Sequence, residues 1–279
     1  MGVDLKSILT FRQKPLEELR GKYAIDGFNA LYQFLTIIRQ PDGTPLLNRR
    51  REITSHLSGL FYRTCALLDK DIFPIFVFDG EPSELKRKTI AKRVSAKMDA
   101  EERMRKAKEE GRLEEAAMLA QRTAHLTKKM VDQSKDLLDA MGLPWVQAPS
   151  EGEAQCAWMA QKKLVGATAS QDFDALLFGT PTLVRNLTFS GRRKLPRQNA
   201  YTVVHPEEYD LAENLQKLSL TRQQLVWLGA LVGTDFNEGV HGIGPKKGLK
   251  IVKECTTSDQ VNAKLSQPVD FAPLEELFL

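Results

Sequence analysis

The sequence is poor in cysteine and has no long apolar run, and these two absences exclude several classes of protein. Its 279 residues include three cysteines, Cys65, Cys156 and Cys255. Their odd number and wide spacing argue against a disulfide framework and against a zinc cluster. Charged residues interrupt every apolar stretch well before the roughly 18 residues that a membrane span needs, and we expect no secretory leader. A reducing, intracellular setting without membrane association fits these absences best.

Charge of one sign does not dominate either. The chain has 40 Lys and Arg residues against 36 Asp and Glu residues, a net charge of +4, so net charge alone says little about binding partners. The charge is placed unevenly, however, because residues 86–112 contain eleven basic and five acidic side chains. A hydrophobic content of 42% is enough for a buried core, so the chain should fold as a globular protein.

Short apolar runs that end at carboxylates determine the expected fold. The runs and the acidic residues after them are 23–25 before Asp26, 74–78 before Asp79, 143–146 before Glu151 and Glu153, and 166–170 before Asp172 and Asp174. Each has the pattern of a buried strand followed by a helix. Strands that alternate with helices predict an α/β fold with a mainly parallel central sheet flanked by helices. Because ligands bind at the carboxyl ends of such strands, the carboxylates should converge on one edge.

The region 82–136 lacks strand signals and has the pattern of a long polar helix, interrupted near Gly111. We interpret it as an insertion between two halves of the sheet. At about 100° per residue, the helix would carry a basic row beside an apolar row that packs. The basic row is Lys86, Arg93 and Lys97, and the apolar row is Ile90, Val94 and Met98. A solvated helix face is the plainer interpretation of the basic row.

Acidic residues at the expected strand ends and helix starts indicate a metal site. The seven are Asp26, Asp79, Glu151, Glu153, Asp172, Asp174 and Asp235. If they converge, their mutual repulsion raises several pKa values unless cations neutralise them. Oxygen ligands without His or Cys favour Mg²⁺ or Mn²⁺ over zinc, and two such ions about 4 Å apart promote in-line attack on a phosphodiester. One ion would activate the water, and the other would stabilise the leaving oxygen.

Individual carboxylates also have structural interpretations. Ser150 and Glu153 have the spacing of a capping box for the helix that follows them. Asp26 and Asp79 each precede a glycine, which is typical of a turn. The pairs 151/153 and 172/174 are spaced i, i+2 and would point to different faces of a regular helix. They can therefore act together only at a strand-to-helix junction.

Residues 172–174 (Asp-Phe-Asp) permit a different enzymatic interpretation. The spacing resembles the Asp-x-Asp nucleophile of a haloacid-dehalogenase-like phosphatase, in which the first Asp takes up phosphate. That motif requires an unbroken apolar strand before it and a small Gly-Thr turn after it. Here Ser170 and Gln171 precede the motif and Ala175 follows it, so the context fits poorly.

A glycine hairpin between two apolar helical segments forms a second expected binding element. Gly242 and Gly244 tolerate positive φ and close approach, so backbone N–H groups can face a phosphate. Lys246 and Lys247 follow directly and add positive charge. Such contacts would hold a DNA strand without reading its sequence. A plain turn between helices is the structural alternative.

Several segments distributed over essentially the whole chain form a specific family pattern. They are 1–5 MGVDL, 23–26 YAID, 32–35 YQFL, 54–57 TSHL, 61–64 FYRT, 77–80 VFDG, 148–154 APSEGEA, 233–235 GTD and 242–246 GIGPK. Together they resemble the flap structure-specific endonucleases of the XPG-like 5′ nuclease superfamily, in their archaeal form. The resemblance implies a PIN-like 5′ nuclease fold. Its parts would be nuclease regions at 1–99 and 116–257, a helical arch at 82–136 and a helix-hairpin-helix element at 219–256.

The same resemblance implies two Mg²⁺ ions, with Mn²⁺ as a substitute. The first ion would be held by Asp26, Asp79, Glu151 and Glu153, and the second by Asp172, Asp174 and Asp235. Lys86 and Arg93 match arch residues that hold the scissile phosphate, and with Asp174 and Asp235 they form the expected catalytic set. The implied DNA-binding residues are Gly2, Tyr32, Arg39, Arg63, Gly233, Gly242, Gly244, Lys246 and Lys247. In this family Tyr32 would stack on a base beside the cut, and the hairpin would grip duplex DNA, often with K⁺.

The implied activity is Mg²⁺-dependent cleavage of 5′ flaps on branched DNA in replication and repair, with 5′–3′ exonuclease activity. We expect a monomer, cytoplasmic and nucleoid-associated in an archaeal cell or nuclear in a eukaryote. The family also implies a sliding-clamp partner, but its Gln-x-x-Leu-x-x-Phe-Phe box is absent from this sequence. Two alternatives stay open. One is a sibling nuclease that prefers bubbles, nicks or junctions, and the other is a non-catalytic DNA-junction binder, which the complete set of carboxylates disfavours.

Overall fold

The fold is seen in a computed structural model and is built on strands that alternate with helices. The structure describes residues 2–40, 43–112, 115, 116, 118, 119, 123, 125–189, 191–194 and 201–279. The strands are β1 (Arg12–Gln13), β2 (Gly21–Asp26), β3 (Ile72–Phe78), β4 (Trp145–Gln147), β5 (Ala167–Ala169), β6 (Thr182–Arg185), β7 (Gly191–Lys194), β8 (Tyr201–Val204) and β9 (Glu207–Asp210). The helices are α1 (Gly27–Ile37), α2 (Ser55–Leu68), α3 (Arg87–Glu109), α4 (Lys128–Ala140), α5 (Gly152–Gln161), α6 (Asp174–Leu177), α7 (Leu211–Leu218), α8 (Arg222–Val232), α9 (Pro245–Lys253), α10 (Ser258–Asn262) and α11 (Ala272–Phe278).

The central sheet has seven strands in the order β1-β9-β6-β5-β2-β3-β4. Strand β2 lies in the middle and pairs in parallel with β3 and with β5. Strands β4 and β6 continue the parallel arrangement on either side, whereas β9 and β1 are antiparallel at one edge. The four apolar runs predicted from the sequence therefore form β2, β3, β4 and β5. This confirms the α/β fold with a mainly parallel sheet flanked by helices.

Helices cover the sheet because alternate strand residues are apolar towards both faces. On one face, Ile25 and Phe76 pack with Leu31 of α1 and Leu60 of α2. On the other face, Ala24 and Val77 of the same strands pack with α5. A strand buried on both faces requires a continuous apolar run rather than alternation, which is the pattern that the sequence has at these positions.

Helix α3 is exposed over most of its length. It runs from residue 87 to 109, and Gly111 follows it with φ of 73°. The expectation that the apolar row of this helix packs is wrong, since Val94 is 53% exposed and Met98 is 64% exposed. Helical periodicity predicts only that these residues share one face of the helix. In the structure that face is exposed. Further along, α4 packs Met130 and Val131 into the core, and the boundaries 82–136 of the arch stay a prediction.

The glycine hairpin lies between two packed helices, as predicted. Helix α8 ends at Gly233, and α9 begins after Gly244. Gly242 has φ of 77°, a conformation that few residues other than glycine adopt. Gly244 has φ of −92° and is the N-cap of α9, so of the two hairpin glycines only Gly242 adopts a positive φ. Gly248 packs so closely on Leu228 that a Cβ would lie 2.7 Å from its Cδ1.

Two predictions drawn from absences can be compared with the structure. All three cysteines lie in the described ranges and are free thiols there. Within the same ranges, none of the helices combines the length and the apolar character needed to cross a bilayer.

Candidate active site

A cleft at the carboxyl ends of the strands collects most of the predicted carboxylates. It has a volume of about 540 Å³. Its acidic lining consists of Asp26, Asp79, Glu151, Glu153, Asp172 and Asp235. Three further predicted residues, Tyr32, Lys86 and Arg93, line the same cleft. Asp174 lies beneath this surface and is 1% exposed. The sheet brings together the carboxylates at its strand ends, and Asp235, which follows α8 and lies more than 200 positions after Asp26, joins them in the cleft.

Local backbone geometry fixes the first two carboxylates. Asp26 is the last residue of β2 and the N-cap of α1, and its Oδ1 accepts a hydrogen bond from the backbone N–H of Asn29 at 2.9 Å. Asp79 follows β3, and its Oδ1 accepts from the N–H of Gly152 at 2.7 Å. A Cβ at position 152 would lie 2.6 Å from that same oxygen. Glycine is therefore required between the two glutamates for this approach.

Glu153 does not cap its helix. The N-cap of α5 is Glu151, which makes no side-chain capping bond, so the capping-box interpretation is wrong. Instead, Glu153 accepts a hydrogen bond at 2.8 Å from the hydroxyl of Ser170, whose oxygen also accepts from the N–H of Asp172 at 3.1 Å. The hydroxyl of Ser150 is directed elsewhere and donates to the carbonyl of Glu81 at 2.9 Å. Both acidic pairs thus lie at strand-to-helix junctions, as their spacing requires.

The amino-terminal segment holds Asp174. Its Oδ1 accepts a hydrogen bond from the N–H of Val3 at 2.6 Å, and its Oδ2 accepts from the N–H of Asp235 at 3.4 Å. Gly2 lies so close that a Cβ at that position would be 2.7 Å from the carboxyl carbon. The start of the chain therefore packs directly against a predicted metal ligand.

Two cations of the basic row reach into the cleft. The Nζ atom of Lys86 lies 2.5 Å from Glu151 and 3.9 Å from Asp235. The guanidinium of Arg93 lies 2.5 Å from Asp235. The third member, Lys97, is directed away and contacts the ring of His125 at 2.8 Å. Lys86 and Arg93 thus belong to the cleft, whereas Lys97 is 24% exposed and contacts His125 and Glu101 away from it, so the interpretation as a solvated helix face holds for none of the three.

These ion pairs shift the pKa values of two of their members. Burial opposes the charged form of Lys86, but the Glu151 carboxylate outweighs it and holds the pKa of Lys86 above its usual value. Burial also opposes ionisation of Asp235, yet Arg93 holds the pKa of that carboxyl below its usual value. Lys86 and Asp235 are therefore charged at neutral pH.

The other carboxylates are short of positive charge. Burial, reinforced by neighbouring carboxylates, raises the pKa of Asp26 to about 8 and that of Asp174 to about 7. Burial raises the pKa of Glu153 well above its usual value, and it raises the pKa of Asp79 as well. Repulsion of this kind is expected where carboxylates converge without enough cations.

The donor set suits a hard divalent ion. Every predicted ligand is a carboxylate, and Mg²⁺ and Mn²⁺ prefer such oxygen ligands. In the part of the chain that the structure describes, no group of three His, Cys, Asp or Glu side chains is arranged to hold an ion directly. Lys86 and Arg93 supply the positive charge in this arrangement. An ion would therefore require the carboxylates to rearrange and would compete with these cations for Glu151 and Asp235.

The remaining predicted DNA contacts lie outside the cleft. Arg39 donates to the carbonyl groups of Leu35 and Gly43 at 3.1 and 2.9 Å. Arg63 lies on α2, where partial burial lowers its pKa. The hairpin residues lie on the α8–α9 element, with Lys246 and Lys247 both exposed. The predicted residues thus form a central cleft and two separate outer groups.

Sequence reasoning missed two residues that orient the carboxylates. Asn29 bonds Asp26 through its backbone, and its side-chain amide lies 3.4 Å from Asp172 Oδ2. Its position three residues after Asp26 is the spacing of a helix cap, which was the available signal. Ser170 bonds both Glu153 and the N–H of Asp172. The sequence offered no signal for that role beyond its nearness to residues 172–174.

Comparisons with known proteins agree over the whole chain. The family model for the XPG N-terminal domain matches residues 1–100, and the model for the XPG I-region matches residues 142–235. Flap endonuclease 1 of Staphylothermus marinus is 51% identical over 288 residues, covering 100% of this chain and 82% of that protein. Flap endonuclease 1 of Pyrococcus furiosus is 51% identical over 281 residues, with the same coverage. The chain belongs to the flap endonuclease family of XPG-type nucleases.

Solved structures related to this flap endonuclease family share the fold. Flap endonuclease-1 from Methanococcus jannaschii is 44% identical, with a TM-score of 0.76, and the match covers 99% of this chain and 84% of that one. The catalytic core of Rad2 in complex with a DNA substrate is 29% identical, with a TM-score of 0.68 and coverage of 94% and 71%. Membership of the flap endonuclease family sets aside the phosphatase interpretation of residues 172–174.

Proposed function

We propose that this protein is a divalent-metal-dependent nuclease that removes 5′ single-stranded flaps from branched DNA during replication and repair, with 5′–3′ exonuclease activity. The observation that supports it most is a single cleft that holds six carboxylates together with Lys86 and Arg93. Carboxylates suit metal ions, and the two cations suit a phosphate. A chain of the flap endonuclease family that has both sets in one place is equipped for phosphodiester hydrolysis.

Two Mg²⁺ ions, or Mn²⁺ in their place, would act in this cleft. The first would be held by Asp26, Asp79, Glu151 and Glu153, and the second by Asp172, Asp174 and Asp235. When bound, such a pair supplies a nucleophilic water at neutral pH and neutralises charge on the leaving group. The protein therefore needs no nucleophile of its own.

The residues of the chain would hold and orient the DNA. Lys86 and Arg93 bind the phosphate to be cut, because both already reach the carboxylates from the arch side. Tyr32 is 42% exposed at the cleft, so its ring is accessible for stacking on a base. These contacts orient the phosphodiester for in-line attack, and orientation of this kind accounts for much of enzymatic rate enhancement.

Duplex DNA would be held by the outer groups. Arg39 and Arg63 bind phosphates near the cleft, and the hairpin binds a second duplex region through its backbone and Lys246 and Lys247. A K⁺ ion would belong to this hairpin. Contacts to phosphates fix position and carry no sequence information. The substrate is thus selected by the shape of the branch rather than by its sequence.

Two alternatives are weaker. A sibling nuclease with another junction preference has structural parallels, since human GEN1 in complex with Holliday junction DNA has a TM-score of 0.64, but it is 24% identical and supports the fold alone. The flap endonuclease relatives are about twice as similar. A non-catalytic junction binder gains nothing from clustered negative charge beside a phosphodiester.

A cleavage assay tests the proposal. The substrate is a 5′-labelled double-flap DNA, with a blunt duplex, a bubble, a nicked duplex and a four-way junction of the same sequence as comparisons. We expect Mg²⁺-dependent release of the flap near the junction, none in EDTA, and none from Asp235→Ala, which should still bind the flap. Binding without cutting under Mg²⁺ and Mn²⁺ would favour the junction binder. Faster cutting of another structure would favour the sibling nuclease.

A further inference from the structure

A buried aromatic ring separates two of the predicted metal ligands. Phe173 lies between Asp172 and Asp174 and is 4% exposed. The guanidinium carbon of Arg185 lies 4.3 Å from the centre of its ring. Tyr209 meets the ring edge-on, with centroids 5.1 Å apart and an interplanar angle of 84°. The ring that links the two aspartates is therefore held by two side chains from other strands.

Arg185 also holds the backbone of the same loop. Its Nε donates a hydrogen bond to the carbonyl of Gln171 at 3.0 Å. One guanidinium thus fixes the residue before Asp172 through its backbone and the residue after it through its ring. Lysine has a single terminal nitrogen and cannot make both contacts at once. This bridging geometry is specific to arginine.

Arg185 is in turn anchored from the neighbouring strand. Residue 185 of β6 and Glu207 of β9 are direct partners in the sheet, and Arg185 Nη1 lies 3.6 Å from Glu207 Oε2. The hydroxyl of Tyr209 donates to the same carboxylate oxygen at 2.9 Å. The side chains of Arg185 and Glu207 are 17% and 10% exposed. A charge buried to this degree is costly unless it is paired, and Glu207 is the carboxylate that compensates Arg185.

We propose that Arg185 is a positioning residue for the second metal site, acting on Asp172 and Asp174 through Gln171 and Phe173. The inference rests on the proposed function. Arg185 touches neither carboxylate, but it fixes the segment on which both are mounted. Outer residues of this kind orient metal ligands, and their loss typically lowers metal affinity by about 10- to 100-fold.

The test uses Arg185→Met in the full chain. Methionine fills the space over Phe173 but cannot donate to Gln171 or pair with Glu207. We expect about 10-fold more Mg²⁺ for half-maximal flap cleavage, and a smaller Mg²⁺-induced rise in Tm in the absence of DNA. Flap binding measured in Ca²⁺ should stay close to wild type. Arg185→Lys keeps the positive charge but cannot contact Gln171 and Phe173 at once, so it should also raise the Mg²⁺ requirement. It provides the test if the methionine variant fails to fold.

Arg222→Met is the matched control. Arg222 is also partly buried and donates to backbone carbonyls, those of Leu177 and Phe278, but it does not contact residues 171–173. It should lose stability without a change in Mg²⁺ requirement. If Arg185→Met and Arg185→Lys behave like this control, the positioning role is refuted and the nuclease function stands. A wild-type protein with no Mg²⁺ response in cleavage or Tm refutes the proposed function and the inference with it.

Discussion

At the scale of single residues, the space around Asp174 is restricted by its contact with Gly2. Gly2 approaches Asp174 so closely that a methyl group there would lie 2.7 Å from both the carboxyl carbon and Oδ1, well inside van der Waals contact. Asp174 cannot yield freely, because the N–H groups of Val3 and Asp235 hold its two oxygens. Either the amino-terminal segment or the carboxylate must move.

Gly2→Ala should therefore impair cleavage with little loss of flap binding. A displacement of about 1 Å at a catalytic group can cost about 100-fold in rate, and we expect a loss of at least about 10-fold in single-turnover cleavage. Gly166→Ala is the control, since a Cβ there meets only the Lys22 carbonyl at 3.5 Å, an ordinary contact. Equal rates for Gly2→Ala and wild type would show that the segment moves aside without consequence.

The sequence identified the acidic residues but not what orients them. Carboxylates after apolar runs are visible as a pattern because strand ends are local features. Ser170 and Asn29 bond residues brought near by the fold, and the bond from Ser170 to Glu153 spans 17 positions. The cap spacing from Asp26 was a signal for Asn29, but hydroxyl side chains occur throughout the chain, so nothing in the sequence distinguishes Ser170 from the rest.

At the scale of elements, α3 has a division of labour along its basic row. Arg93 reaches Asp235 in the cleft, whereas Lys97 contacts His125 outside the cleft. Both residues belong to the same row by helical period, and their functions should differ because their neighbours differ.

Arg93→Ala should slow cleavage far more than it weakens duplex binding. Lys97→Ala should have a much smaller effect on the cleavage rate and only a small effect on duplex binding. The reason is that a cation at the scissile phosphate acts on the reaction step, whereas a cation outside the cleft contributes to general attraction for DNA. Cleavage rates at saturating enzyme and binding at two salt concentrations separate these effects. Parallel losses in both variants, in rate and in affinity, would make the row a plain electrostatic surface.

The apolar row of α3 has a stability test of its own. Val94 and Met98 are 53% and 64% exposed, so Val94→Ser with Met98→Ser should leave the Tm within about 2 °C of wild type, as surface substitutions do. Leu138→Ser on α4 is the control, because that side chain is fully buried at 0% exposure and its replacement should lower the Tm sharply. A large loss in the double variant would show that the row is covered in solution.

Element prediction succeeded where burial was implied by the sequence itself. The runs at β2 and β3 are apolar at consecutive positions, which specifies a strand covered on both faces. In α3 the period reveals which residues share a face, but it cannot reveal whether another element lies against that face. The prediction that the apolar row of α3 packs against another element was wrong for this reason.

At the scale of the whole molecule, the buried carboxylates of the cleft make the stability of the fold depend on pH. The folded-state pKa of Asp26 is about 8 and that of Asp174 about 7, both above the ordinary value of 3.8 expected for the unfolded chain. Between these limits the folded state holds protons that the unfolded state has lost. Stability therefore falls as pH rises through this window. Burial lowers the pKa of His56, and that single group acts in the opposite sense below its ordinary value of 6.5.

We therefore expect the Tm in EDTA to rise by at least about 2 °C when the pH is lowered from 8 to 6. The raised pKa values of Asp26, Asp174 and Glu153 outweigh the lowered pKa of one histidine, and Asp235, whose pKa is lowered, titrates below this range. Mg²⁺ should raise the Tm most at pH 8, because the ion then replaces protons that the cleft has lost, and it should flatten the pH dependence. The measurement is thermal unfolding at both pH values with Mg²⁺ or EDTA. A Tm in EDTA that falls towards pH 6 would mean that the carboxylates are ionised in the folded protein without a metal. In that case Lys86 and Arg93 would supply all the neutralisation that the cleft requires.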